Sequence, residues 1–190
     1  MPFSEIAKQV ERAEDVLIDK NYPVLAMSWY AKGLYIKHTK KGRDIKAQRV
    51  YKVCDGDFVY NRLFAWKGSF AEAVKEDDGC YVSNEFPCFV IDRERVIPGY
   101  LWAYFAQPAL WELIETLSTG TTSTSRLRLK ESKLNQFLVP LPPKPVQREL
   151  AEVWADSLRL EEELQRVTTM LAGFAPAVLE RTVPISSVPT

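Results

Sequence analysis

Apolar residues recur along this chain at different spacings, and each spacing predicts a different kind of element. At the start, Ile6, Val10, Ala13 and Leu17 lie four, three and four residues apart, with Glu5, Lys8, Glu11, Arg12 and Glu14 off that stripe. This predicts an amphipathic helix over residues 1–20, capped by Ser4 and ended by Asn21-Tyr22-Pro23. From Val24 to Asp92 the texture changes to short runs rich in Val, Ile, Phe and Tyr. Val24–Tyr30, Leu34–Lys37, Arg49–Val53, Asp57–Asn61, Ser69–Val74, Tyr81–Val82 and Phe86–Ile91 predict strands. Lys41-Gly42, Asp55-Gly56 and Asp78-Gly79 punctuate them, and the last two have hairpin-turn chemistry.

Two helices follow, over Pro98–Ala106 and Pro108–Leu117, each with proline suited to a first helical turn. Trp102, Phe105, Leu110, Trp111 and Ile114 are their core candidates. Ser118–Ser125 is a small polar loop, and Gln136–Pro143 predicts a last strand with a rigid proline exit. From Pro145 to about Phe174 the rhythm returns to threes and fours. Leu150, Val153, Ser157, Leu160, Leu164, Val167, Leu171 and Phe174 make a coiled-coil seam with a single polar position, Ser157. One helix cannot bury such a seam alone. It needs a partner, within the chain or in another.

The 190 residues suit one domain with an appended element, and 46% hydrophobic residues supply a real core. The longest uncharged run, Val96–Trp111, is broken by Pro98 and Pro108 and is shorter than the roughly 20 residues of a membrane span. The amphipathic start lacks a signal-peptide core, so a cytoplasmic protein is expected. Cys54, Cys80 and Cys88 are widely spaced with no CxxC pair, which fits reduced thiols better than a disulfide scaffold or a zinc site.

Candidate chemistry is sparse. His38 is the single histidine, and no glycine-rich phosphate loop or GxSxG elbow occurs. Glu131-Ser-Lys133 has a nuclease-like Glu-x-Lys spacing without a partner aspartate on a preceding strand. No catalytic residue, cofactor or metal is expected. Charge placement says more. Formal net charge is zero, yet Lys32–Lys52 holds eight Lys/Arg (Lys32, Lys37, Lys40, Lys41, Arg43, Lys46, Arg49, Lys52) against Asp44 alone. Arg62 and Lys67 stand beside Tyr60, Phe64 and Trp66, and Arg126, Arg128, Lys130 and Lys133 follow the polar loop. Glu149, Glu152, Asp156, Glu161, Glu162 and Glu163 make the long helix acidic. Basic loops interleaved with aromatic and hydroxyl side chains suit contact with a DNA backbone and base edges. A merely solvated charged face remains the alternative.

DGDFVYNRLFAWKGSFA (Asp55–Ala71), GCYVSNEFPCFVI (Gly79–Ile91), two short helices, a Gly120 loop leading to Arg126, and FLVPLPPKPVQREL (Phe137–Leu150) follow one another along the chain. In this order they resemble the specificity subunits of type I restriction–modification systems. The resemblance covers roughly Tyr22 to Leu171, but such subunits usually carry two target recognition domains and two helical regions, against one of each here. It implies an α+β fold in four parts. These are an N-terminal helix (1–20), a target recognition domain with a curved irregular sheet and short helices (21–143), a coiled-coil helix (144–176) and a tail (177–190).

It further implies a non-catalytic subunit that binds double-stranded DNA and recruits a methyltransferase subunit, with a nuclease subunit as a further partner. DNA contacts are expected from Lys37, His38, Lys40, Lys41, Arg43, Arg62, Lys67, Thr121, Thr122, Ser123, Arg126 and Arg128. A homodimer is expected through Leu150, Val153, Leu160, Leu164, Val167 and Leu171. Tyr60, Trp66, Glu85 and Phe86 are expected to hold the fold. Two alternatives stand beside this reading. One is a half-subunit acting mainly as a protein–protein module that redirects or inhibits a methyltransferase. The other is a recognition domain cut from a stand-alone restriction–methylation enzyme.

Overall fold

The computed structural model describes residues 1–120 and 127–182, with side chains as far as Phe174. The chain divides into two compact units, Met1–Glu152 and Val153–Thr190. In chain order the strands are β1 (Ala7–Val10), β2 (Ala13–Asp15), β3 (Asn21–Met27), β4 (Leu34–Lys41), β5 (Arg49–Lys52), β6 (Phe58–Tyr60), β7 (Phe70–Glu72), β8 (Tyr81–Val82) and β9 (Cys88–Ile91). Helices α1 (Pro98–Phe105), α2 (Pro108–Leu117), α3 (Glu131–Leu134) and α4 (Lys144–Thr182) follow. Among the described residues the strands form two sheets, ordered β1-β9-β6-β7 and β2-β5-β8-β3-β4. The β3–β8 pairing is parallel and every other pairing antiparallel.

The four-stranded sheet is buried on both faces at β6, β7 and the start of β9, while the Lys8–Val90 pair at its β1 edge is exposed. Along β6 successive side chains point to opposite sides. Phe58 and Tyr60 join the core under α1 and α2, while Val59 joins a second core shared with the other sheet. β7 divides the same way at Phe70 and Ala71, and β9 at Phe89 and Cys88. Double-sided burial explains why these segments are nearly continuous in hydrophobicity rather than alternating. The first core is aromatic at its centre. Phe105 of α1 meets Phe70 at 4.7 Å, Phe58 at 5.5 Å and Phe137 at 5.6 Å between ring centroids. The second is narrower and holds Cys80 and Cys88, and burial pushes the Cys88 thiol up to about 12.

The predicted N-terminal helix is absent. Phe3–Glu5 is a short 3-10 turn, and the chain then pairs in register with β9, from Ala7 opposite Ile91 to Val10 opposite Cys88. Without β1 that edge of the buried sheet would present unpaired peptide groups. The helical stripe also mispredicts burial, since Leu17 is 62% exposed while Phe3, off the stripe, is fully buried. Pairing with a distant strand outweighed the local period. Nor are Asp55-Gly56 and Asp78-Gly79 hairpin turns. Both glycines take positive φ, but they carry the chain from one sheet to the other. The predicted last strand at Gln136–Pro143 is an isolated bridge, Pro2 to Leu138.

The proline exit into α4 is held by one buried amide. Gln147 Oε1 accepts from the Ile97 N–H at 2.9 Å, and its Nε2 donates to the Arg95 and Pro142 carbonyls at 3.1 and 2.9 Å. It thereby ties the start of α1 to the start of α4. Gln147→Ala is expected to cost about 1–3 kcal/mol by stranding these groups, measured by equilibrium urea unfolding.

Candidate nucleic-acid interface

Strand direction gathers loops at one pole of the sheets. β3 and β8 run parallel, so the 28–33 turn after β3 and the 83–87 loop after β8 leave on the same side. β6 runs antiparallel to β9, so the 61–69 loop begins where the 83–87 loop ends. Backbone bonds lace these loops together. The Tyr30 and Ala31 N–H groups donate to the Lys67 and Gly68 carbonyls, both at 2.8 Å, and Arg62 donates to Glu85 at 2.9 Å. A further segment joins through Leu129, whose N–H donates to Arg62 at 3.0 Å, beside the Thr119–Arg128 bridge.

Two arginines brace the pole. Arg62 Nε donates to Glu131 Oε1 at 2.7 Å, its Nη2 reaches the same oxygen, and its Nη1 reaches the Asn84 carbonyl. Arg128 Nη1 donates to Glu85 at 3.1 Å. Burial pushes the Glu131 carboxyl up, but the Arg62 bonds outweigh it and hold it below the usual carboxylate range. Burial likewise opposes the Arg62 charge, and pairing with Glu131 wins. Arg62 is thus bound into the fold, and what it supports is an exposed Asn84 beside an exposed Ser83. An Asn side chain presents the donor–acceptor pair that matches adenine in the major groove. Asn84 also lines a cleft of about 200 Å³ with Gln9, Arg12, Lys52 and Arg62. There Arg12 is held by a two-bond pair with buried Asp57, at 2.6 and 3.1 Å.

The predicted contact residues separate into groups. Arg62, Lys67 and Arg128 come together at the loop pole. Lys40 and Lys41 lie opposite Tyr22 and Asn21, at the far end of β4. That end is about 23 Å from the 28–33 turn at about 3.3 Å per residue. Lys37 through Lys41 are therefore part of an edge strand, and the turn of its hairpin with β3 is 28–33. Arg43 pairs with Asp19 at 2.8 Å in the open, an arrangement that contributes little. His38 sits mid-strand and borders a cleft of about 330 Å³ with Lys40, Lys46 and Arg49. Partial desolvation and the like charges of Lys40 and Lys37 hold its imidazole below the ordinary value. Thr121, Thr122, Ser123 and Arg126 lie outside the described residues. Glu131 of the Glu-x-Lys triplet is the partner of Arg62, and among the described residues no group of three or more His, Cys, Asp or Glu is placed to hold a metal.

Within the VSNEF block the sequence does not mark Ser83 and Asn84 as an exposed loop, and the Val24–Tyr30 run places Trp29 and Tyr30 in a strand where the structure has a turn. Their alternation with Met27 and Ser28 resembles a strand, and the tell-tale Lys32-Gly33 pair was the available turn signal. On α4, Leu150 in the first unit is exposed. In the second unit Val153, Leu160, Leu164, Val167 and Leu171 are exposed as well. None of the described helices is long and apolar enough to cross a membrane.

No protein-family profile matches the chain, and no curated protein matches it in sequence. Two buried-core sheets with a long C-terminal helix do match solved structures. The HsdS subunit from Thermoanaerobacter tengcongensis superposes with a TM-score of 0.67 at 17% identity, over 100% of this chain and 50% of that one. A structure described as underlying complex assembly and conformational transition of the type I R-M system superposes with a TM-score of 0.62 at 17% identity, over 97% of this chain and 52% of that one. The chain spans about half the length of these neighbours. Its fold is that of an α+β domain followed by a long helix, and specifically the fold of HsdS.

The Arg62–Glu131 pair sets a pH dependence. A carboxyl depressed in the folded state contributes stability above its unfolded value of about 4.3, and the contribution is lost as pH falls through the folded value. Glu131→Gln is therefore expected to cost about 1–3 kcal/mol at pH 7, and the gap from wild type should close as pH drops below about 4. Urea unfolding at both pH values measures it.

Proposed function

We propose that this chain is a DNA-specificity component of a type I restriction–modification system, reading one half of a two-part double-stranded site. The observation that carries the reading is the loop pole, where Asn84, Ser83, Lys67 and Arg128 converge on a scaffold with the HsdS fold. The pole presents base-edge donors and acceptors together with cations for phosphate, which are the two requirements of sequence-dependent contact. His38, Lys40, Lys41 and Arg43 on the β4 edge serve phosphate further along the duplex. The chain performs no covalent step. A methyltransferase subunit supplies the chemistry on the adenine, and a nuclease subunit joins the complex.

The second component of the proposal is a homodimer through α4. The exposed stripe Leu160, Leu164, Val167 and Leu171 supports it, because such a seam left in water is unfavourable at every position. A second copy places a second recognition domain on a symmetric target. A protein-only module would use the same stripe, but would give DNA binding that ignores sequence.

Selection from a random duplex pool, followed by fluorescence anisotropy in increasing salt, tests the reading. The expected result is one enriched half-site motif, with affinity falling steeply as salt rises. Asn84→Ala should cost about 1–3 kcal/mol and relax preference at one base pair. Lys67→Ala should weaken all sequences alike and flatten the salt slope. An unenriched pool refutes the DNA reading. For the dimer, light scattering at micromolar concentration should give twice the chain mass, and Leu160→Glu with Leu164→Glu should give a monomer; a monomeric wild type refutes it.

A further inference from the structure

The 28–33 turn is built against the ordinary preference of its residues. Tyr30 and Ala31 are consecutive non-glycine residues with φ of 62° and 55°. In that region Cβ crowds the following carbonyl, and glycine is the usual solution. The surroundings impose the conformation. Both N–H groups are bonded to the Lys67 and Gly68 carbonyls, Ser28 N–H donates to Gly33 at 3.0 Å, and the Ala31 carbonyl accepts from Trp102 Nε1 at 3.1 Å. Strain maintained in this way tends to mark a functional element.

What the strained turn displays is a pair of large rings. Trp29 is 42% and Tyr30 53% exposed. Each is backed by a second ring: Trp29 by Phe64 and Tyr30 by Trp111, both at 5.6 Å between centroids. Trp111 is itself anchored, its Nε1 donating to the Phe105 carbonyl at 2.8 Å. Lys67 Nζ lies 3.7 Å from the Trp29 ring centroid. The rings are therefore exposed, rigid and paired with a cation, at the same pole as Asn84 and Arg128.

We propose that the Trp29–Tyr30 turn is a preformed aromatic wedge that stacks against a base step of duplex DNA and partly unstacks it. The inference rests on the DNA reading above and adds a specificity element to it. A ring inserted at a step favours sequences that deform easily, pyrimidine–purine steps above all, so it contributes sequence preference without a base-edge hydrogen bond. A protein partner is the weaker occupant, because the centres of protein interfaces are depleted in lysine whereas nucleic-acid stacking surfaces combine aromatic rings with cations.

The test uses the full chain and the half-site found by selection, with 2-aminopurine placed at each position in turn. Wild type should raise fluorescence at one step, marking loss of stacking. Tyr30→Phe should keep that rise. Tyr30→Ala and Trp29→Ala should abolish it, weaken binding about ten-fold and reduce preference at the same step. Tyr30→Gly removes the same ring contacts as Tyr30→Ala but relieves the left-handed strain, so it should unfold at a higher temperature than Tyr30→Ala and still give no rise. That outcome separates loss of the wedge from loss of the fold. Sequence-selective binding without a rise at any position overturns the wedge and leaves the DNA reading standing, whereas a wild type that selects no sequence overturns both. An unchanged rise in Tyr30→Ala, with capture of a purified methyltransferase subunit lost instead, assigns the turn to protein docking and also overturns the wedge.

Discussion

The double-sided burial of β6, β7 and the start of β9 is the constraint on which the first unit depends. Phe58, Val59 and Tyr60 are all fully buried, so β6 has no solvent face, and its one side-chain polar group, the Tyr60 hydroxyl, is used on the Leu129 carbonyl. Both faces are committed to packing, one against α1 and α2 and one against the second sheet. Function is displaced to the strand ends. The parallel β3–β8 contact puts the ends of those two strands of the five-stranded sheet on the same side, the 83–87 loop leads from there to the start of β9 beside the end of β6, and the loop pole follows from that topology.

Charge at the pole is organised by the same economy of burial. An arginine near a packed core needs a carboxylate, and Arg62 and Arg128 have Glu131 and Glu85. These pairs consume much of the donor capacity that a sequence reading would assign to DNA. In return they order the backbone around Asn84 and Ser83, whose side chains remain exposed. At Arg62 the residue that positions the loop and the residues that it presents are therefore distinct, and the shorter Asn84 and Ser83 side chains are the ones left available there. The Trp29–Tyr30 turn follows the same logic, since the Lys67 and Gly68 carbonyls hold its backbone while its rings project.

Much of the architecture was legible because it rests on local patterns. Seven strands, α1, α2 and α4 lie where apolar runs, proline starts and the three-four spacing put them. The N-terminal helix was not legible correctly, since Ile6, Val10, Ala13 and Leu17 satisfy a helical period by chance and the decisive partner, β9, is about 80 residues away. The basic cluster from Lys32 to Lys52 was legible as a cluster but not as a place. Its members divide between the 28–33 turn (Lys32), the edge strand β4 (Lys37, Lys40, Lys41), the connection after it (Arg43, Lys46) and β5 (Arg49, Lys52), and linear proximity does not reveal which strand, or which end of it, a residue occupies.

The chain itself determined where seven of the strands, α1 and α2 lie, where α4 begins and that its seam is apolar but for Ser157, because turn chemistry and periodic burial are properties of short stretches. It also determined that the neutral total divides into a basic β-rich part and an acidic helix. Only the tertiary structure decided that the first residues become strands, that Arg62 is spent on Glu131, and that Trp29, Tyr30, Lys67, Asn84 and Arg128 share one pole. Each of those outcomes depends on groups 22 or more residues apart competing for the same hydrogen bonds and the same space, and such competition is resolved by packing rather than by spacing.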